Sequence, residues 1–206
     1  MTEFVENISN DELAQLPLGQ FEGRIVVIDS QKGLNEACDH LLAQRAIGFD
    51  TETRPAFTAG STNRVALLQL ATAECCYLFR LSAMPLDRAV TKVLENQEVI
   101  KVGAAVRDDL KALIALRNFK PRGFVDLQSI VNRYGIRELS LRKMAAIVLG
   151  IRISKAQRLS NWEAEELTEL QQVYAATDAW AALEIYNKLE VRSEKCPQCH
   201  NSPNSP

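Results

Sequence analysis

"AIGFDTETRPAF", residues 46–57, is apolar for four positions and then sets two acids one residue apart, Asp50 and Glu52. Side chains alternate along a strand, so Asp50 and Glu52 face one side while Phe49 and Thr51 face the other. Two carboxylates on one face repel each other, so a buried strand that ends on them must meet solvent, basic side chains or cations there. The remainder of the chain decides among the three.

Upstream, "RIVVID" (24–29) reads as a strand and "GLNEACDHLLAQ" (33–44) as a helix. Downstream, "RVALLQLAT" (64–72) and "CCYLFRL" (75–81) are apolar, strand-length and separated by only a few residues, which predicts a hairpin beside the first strand of the core. Helical patterns then alternate with short buried strands. "PLDRAVTKVLEN" (85–96) and "DDLKALIALR" (108–117) are the helices, and "VIKVG" (99–103) and "GFVDL" (123–127) the strands, an order that requires crossovers and parallel pairing. From "LQSIVNRYG" (127–135) onward the pattern is helical, ending in a long helix over about 167–190. The expected fold is α/β: a mixed sheet of five to six strands, antiparallel at one side and parallel at the other, flanked by helices. In such an open sheet the site lies at the carboxyl ends of the strands, where Asp50 and Glu52 fall.

The chain has 206 residues, 47% hydrophobic and 24% charged, enough for one domain with a proper core. Residues 1–23 read as an N-terminal extension with one short helix, 24–192 as the domain, and 193–206 as a disordered tail. "MTEFVENISNDELAQL" has neither a basic start nor an apolar run, and no stretch of about 18 apolar residues occurs, which predicts a cytoplasmic chain without membrane contact. Cys38, Cys75 and Cys76 sit in apolar segments and read as buried thiols in a reducing compartment. "CPQCH" in the tail offers Cys196, Cys199 and His200, a partial ligand set for zinc.

Net charge is −2, yet between Arg117 and Arg158 ten basic residues face two acidic ones, so the remainder is strongly acidic. That separation suits a chain holding a polyanion on one side and cations on another.

Further acids that reach the same sheet edge occur in two places. "KVGAAVRDDLKAL" (101–113) carries Asp108 and Asp109 at a helix start, where either can serve as a simple cap. "VYAATDAWAALEIY" (173–186) places Tyr174 and Asp178 four apart on one helix face, with Ala181 and Ala182 small enough for close packing on a sheet. "FDTE", "VGAAVRDD" and "YAATD", in that order, resemble the three motifs of the DEDD exonuclease superfamily, which includes ribonuclease D and polymerase proofreading domains. "VALLQL", "CYLF", "FVDL" and "SNW" extend the resemblance over about residues 45–190, and it is nearest to the Werner-syndrome exonuclease domain.

The resemblance implies a ribonuclease H-like fold and metal-dependent removal of nucleotides from the 3′ end of DNA or RNA. It assigns Asp50 and Glu52 to the first motif, Asp109 to the second, with Asp108 left as a cap, and Asp178 to the third. Tyr174 is the tyrosine of the DEDDy subgroup. Carboxylates are hard ligands, so the implied cofactors are two Mg²⁺ or Mn²⁺ ions. A phenol with a pKa near ~10 is a poor base at neutral pH, so Tyr174 is expected to position the attacking water. Thr51, Phe57 and Trp162 are candidate substrate contacts, Trp162 by stacking on a base, although a Trp at that place also serves to pack the last helix on the sheet. The expected partner is a single-stranded or 3′-overhanging nucleic-acid end. A catalytically silent nucleic-acid-binding scaffold of the same fold is the alternative, against which stands the presence of all four acids and the tyrosine.

Overall fold

A computed structural model describes residues 4–53 and 64–195, the side chains of 191–195 excepted; Phe57, Cys196, Cys199 and His200 lie outside the described residues. Six strands form one sheet: β1 (Arg24–Ile28), β2 (Ala46–Thr53), β3 (Val65–Ala71), β4 (Cys75–Arg80), β5 (Ile100–Gly103) and β6 (Phe124–Asp126), in the order β1-β4-β3-β2-β5-β6. β4, β3 and β2 are antiparallel neighbours, whereas β5 and β6 continue from β2 in parallel. The hairpin and the parallel half follow the sequence pattern. The other edge departs from it, because β1 pairs with β4 in parallel. Helix α2 (Leu34–Leu42) carries the chain across the sheet face before β2 begins, which leaves β1 free to take the far edge.

Side-chain alternation along β2 divides the core. Ile47 and Phe49 join Leu68, Leu70 and Phe79 beneath α2, α3 (Arg88–Glu95) and α4 (Val106–Leu116). Gly48, Asp50 and Glu52 face the other way, toward the last helix, α7 (Glu169–Lys195). An added Cβ on Gly48 would lie 1.8 Å from the Ala179 carbonyl oxygen, so the β2 and α7 backbones touch there. Only a glycine admits that approach. Thr168 and Gln171 form a reciprocal cap that starts α7, each side chain accepting the other's backbone N–H.

Residues 151–168, expected as helix, are irregular. Gly150 ends α6 (Leu141–Leu149) in the left-handed conformation, φ 74°. Ser154 and Asn161 then capture backbone N–H groups two residues on, which offers the chain turns in place of helix. The segment is tied down from outside: the buried Arg80 guanidinium donates to the carbonyls of Ala164 and Glu165.

The N-terminal segment is tied in as well. Helix α1 (Asn10–Gln15) opens with a Ser9/Glu12 capping box. Leu18 then bridges Arg152, Gly19 N–H donates to the Arg152 carbonyl (2.9 Å), and Phe21 N–H donates to Thr177 Oγ1 (3.0 Å). Among the described residues no helix is long and apolar enough to cross a membrane.

Candidate active site

Alternation on β2 and the seating of α7 on Gly48 bring three acids from two elements to one point. Asp50, Glu52 and Asp178 each offer a carboxylate oxygen, and these atoms all lie within 4.8 Å of one another. Asp178 precedes Ala179, the residue whose carbonyl rests on Gly48, so the backbone contact itself sets the spacing. Thr51 N–H donates to Asp50 Oδ1 at 2.9 Å, and the Tyr174 hydroxyl, one turn before Asp178, donates to the Asp178 carboxylate.

Asp109 approaches from the opposite face of β2. It occupies the first turn of α4 and accepts the Thr51 hydroxyl at 2.5 Å. Asp109 thus stands beside the three-acid cluster while its charge still acts on Asp50 and Glu52. Asp108 points outward, 88% exposed, and pairs with Lys111 at 2.7 Å. Helix phase therefore separates two adjacent acids that composition cannot. The start of α4 is held by a residue whose part the sequence does not advertise. Ala105 adopts φ 60°, a left-handed conformation that costs a non-glycine residue energy, and Asp126 at the end of β6 accepts both the Ala105 and Val106 N–H groups.

The electrostatics follow from crowding. Burial first, then the neighbouring carboxylates, pushes Glu52 up to about 8 and Asp50 well above the usual carboxylate range. Burial also raises Asp178, against the lowering effect of the Tyr174 hydrogen bond, and lifts Asp109 to about 6. Tyr174 is raised far above an ordinary phenol by burial and by the acids around it. At neutral pH the tyrosine keeps its proton, and the carboxylates cannot all ionise without positive partners. An all-oxygen, all-carboxylate donor set fits hard divalent cations such as Mg²⁺ and Mn²⁺.

Among the described residues, two cavities open from the cluster. One, of about 260 Å³, runs from Asp50 and Asp178 past Ala104, Ala105 and Gln128 to Ser140 at the start of α6. The other, of about 180 Å³, runs from Tyr174 and Asp178 between Leu18–Gln20 and Ser154–Gln157. Exposed Lys155 and Arg158 belong to the segment that walls the second. The rest of the basic stretch is partly committed inside the protein: Arg137 to Glu6, Lys143 to Glu138, and Arg117 and Arg152 to the carbonyls of Leu86 and Leu16.

Trp162 does not contact substrate by stacking. It is 0% exposed and packs against the Tyr174 ring, with centroids 5.9 Å apart, so no base reaches it and it serves the packing of α7 instead. Both the backbone N–H and the hydroxyl of Thr51 are engaged within the protein, by Asp50 and Asp109. One further residue that chain order does not reveal is Gln69, opposite Asp50 on β3 and fully buried.

A mixed sheet with acids gathered at a strand end, backed by a tyrosine-bearing helix, is the architecture of the ribonuclease H-like nucleases. Residues 25–194 match the family model described as 3′-5′ exonuclease, and the chain belongs to that family. It is 38% identical over 149 residues to the bifunctional 3′-5′ exonuclease/ATP-dependent helicase WRN of Mus musculus, covering 69% of this chain and 11% of that protein. With ribonuclease D of Haemophilus influenzae it shares 28% identity, covering 92% of this chain and 47% of the relative. The Aedes aegypti Nibbler EXO domain superposes with a TM-score of 0.74 at 27% identity, covering 87% of this chain and 92% of that one. The chain thus spans about a tenth of the mouse protein and about half of the bacterial one.

Proposed function

We propose that this protein removes nucleotides from the 3′ end of a nucleic-acid strand by hydrolysing phosphodiester bonds, with two Mg²⁺ or Mn²⁺ ions held by Asp50, Glu52, Asp109 and Asp178. The observation that carries the reading is the meeting of Asp50, Glu52 and Asp178 within 4.8 Å, with Tyr174 bonded to Asp178. When bound, divalent ions supply activation of a water molecule and neutralisation of charge at the scissile phosphate. The chain's own residues do the rest. Asp50, on a central strand and within 4.8 Å of Glu52 and Asp178, would hold the ions together with those acids. Asp109, fixed by the Thr51 hydroxyl, closes the cluster from the opposite face. Tyr174 keeps its proton and aims the attacking water, because a phenol raised so far cannot act as a base near neutrality. The two cavities give an unpaired end room on either side of the acids, and Lys155 and Arg158 favour a polyanion along the second. A single-stranded or 3′-overhanging end is therefore the substrate we assign. The free, buried thiols Cys38, Cys75 and Cys76 support a reducing, cytoplasmic setting.

The test is degradation of matched DNA and RNA with 3′ overhangs, labelled at the 5′ end, in Mg²⁺, Mn²⁺ or chelator, with Asp50→Ala beside the parent. A metal-dependent ladder that shortens from the 3′ end and vanishes in the variant is expected. Salt-sensitive binding without any ladder would instead leave the silent scaffold.

A further inference from the structure

The family match begins at residue 25, yet one wall of the cavity beside Tyr174 and Asp178 is built from residues that precede it, Leu18 to Gln20. This stretch is held in place by its backbone. Arg152 N–H donates to the Pro17 carbonyl and Gly19 N–H to the Arg152 carbonyl, both at 2.9 Å, the Arg152 guanidinium donates to the Leu16 carbonyl, and Phe21 N–H reaches Thr177. A main chain fixed on both sides of Leu18 nevertheless leaves that side chain 52% exposed.

A single exposed leucine is ordinary; the distribution of such side chains here is not. Five large apolar residues are exposed among the described ones, and three of them line the two cavities that border the acids: Leu18 and Leu170 the second, Leu139 the first. The polar groups in the wall of the second cavity are mostly committed inside the protein. The Thr177 hydroxyl accepts Phe21 N–H and donates to the Val173 carbonyl, Ser154 Oγ accepts Ala156 N–H, Gln157 Oε1 accepts the Ser160 hydroxyl, and Tyr174 donates to Asp178. A phosphate finds few free donors in such a wall, whereas a flat group with apolar faces covers Leu18 and Leu170 at no cost in hydrogen bonds. Lys155 and Arg158 supply the complementary part. Both are exposed, neither forms a salt bridge among the described residues, and they belong to the segment that contributes Ser154, Ala156 and Gln157 to the wall.

We propose that the segment before the family domain completes a nucleobase subsite: one base of the substrate strand sits in the second cavity with its apolar faces against Leu18 and Leu170, while the adjoining phosphates run toward Lys155 and Arg158. The inference rests on the reading that the acid cluster receives the 3′ end of a strand.

The test is a coupling measurement on the full chain. Affinity for a 5′-labelled single-stranded oligonucleotide is read by fluorescence anisotropy at pH 7 in chelator, where nothing is cleaved, with the strand intact or lacking one base at each of its last positions in turn. Leu18→Ser should weaken binding of the intact strand about five- to tenfold, the effect of uncovering much of one leucine side chain. At one position, removal of the base should weaken the parent by a similar factor and the variant hardly at all, so that the two losses do not add. Val5→Ser, which alters an exposed residue lining neither cavity, should bind like the parent. Losses that add at every position, or a folded Leu18→Ser protein with parental affinity, overturn the proposal. Should Leu18→Ser fold poorly, Leu170→Ser on α7 carries the same expectation and the same refutation. The two readings fail separately. An active parent without coupling defeats only the subsite, and a parent that shows coupling but yields no ladder in Mg²⁺ or Mn²⁺ defeats only the exonuclease reading.

Discussion

Asp50 is held where it is least comfortable, half-buried and crowded by Glu52 and Asp178, and this makes it a residue whose loss should help the fold while ending the chemistry. Asp50→Asn should abolish nucleotide release yet raise the stability of the metal-free protein at pH 8 by on the order of 1–3 kcal/mol, as denaturant unfolding in chelator will show. A variant less stable than the parent under those conditions would contradict the crowding described above. Tyr174→Phe removes only the hydroxyl on Asp178. kcat should drop on the order of 10²-fold with little change in KM, and the pH–rate profile should keep its shape, since the phenol is not the group that titrates. At this scale the sequence was informative where geometry is local. The two-residue step from Asp50 to Glu52 and the four-residue step from Tyr174 to Asp178 each fix a shared face. It was silent on Asp126, whose part depends on what stands opposite it, and it left Trp162 with two readings until its burial chose packing.

The elements carry the site by a few fixed joints. Asp126 at the end of β6 restrains the left-handed Ala105 and so sets the start of the helix that bears Asp109. Asp126→Ala should cost about 2 kcal/mol in chemical unfolding and lower kcat as well, because α4 loses its N-terminal partner. A loss of stability with kcat intact would show that Asp109 does not depend on that joint. The N-terminal segment is joined to α7 through Phe21 N–H and Thr177 Oγ1, so Thr177→Val should cost about 1–3 kcal/mol by stranding a buried donor. Strands and helices themselves were legible from apolar runs and periodicity. The edge placement of β1 was not, because a β-branched run announces a strand without naming its neighbour. Nor was the irregular course of residues 151–168, where side-chain capture of the backbone by Ser154 and Asn161 outweighs a helical pattern.

For the molecule as a whole, two sets of buried charge respond to pH in opposite senses. Asp109 and Glu52, raised to about 6 and about 8, hold more protons folded than unfolded. Their contribution to stability is fully present below about pH 4 and is lost as pH rises through 6 to 8. Lys101 is 0% exposed, donates to the carbonyls of Asn96 and Val99, and is pushed down to about 8 by burial. It sheds its proton in the folded state before the unfolded chain does near ~10.4, so stability is regained above pH 8. In chelator the melting temperature should pass through a minimum near pH 8, and Mn²⁺ should raise it most at that point. A midpoint that climbs steadily from pH 5 to pH 8 without metal would be inconsistent with these acids being buried together. Gly48 is where the strand of the first acids touches the helix of the last, and a methyl group there collides with the Ala179 carbonyl. In a library of all single variants sorted only for folded protein, position 48 should tolerate nothing but glycine, whereas neutral residues at positions 50 and 52 should be enriched. Sorted for nuclease activity, the same library should lose variants at all three. The difference between the two sorts separates residues selected for architecture from residues that architecture merely endures.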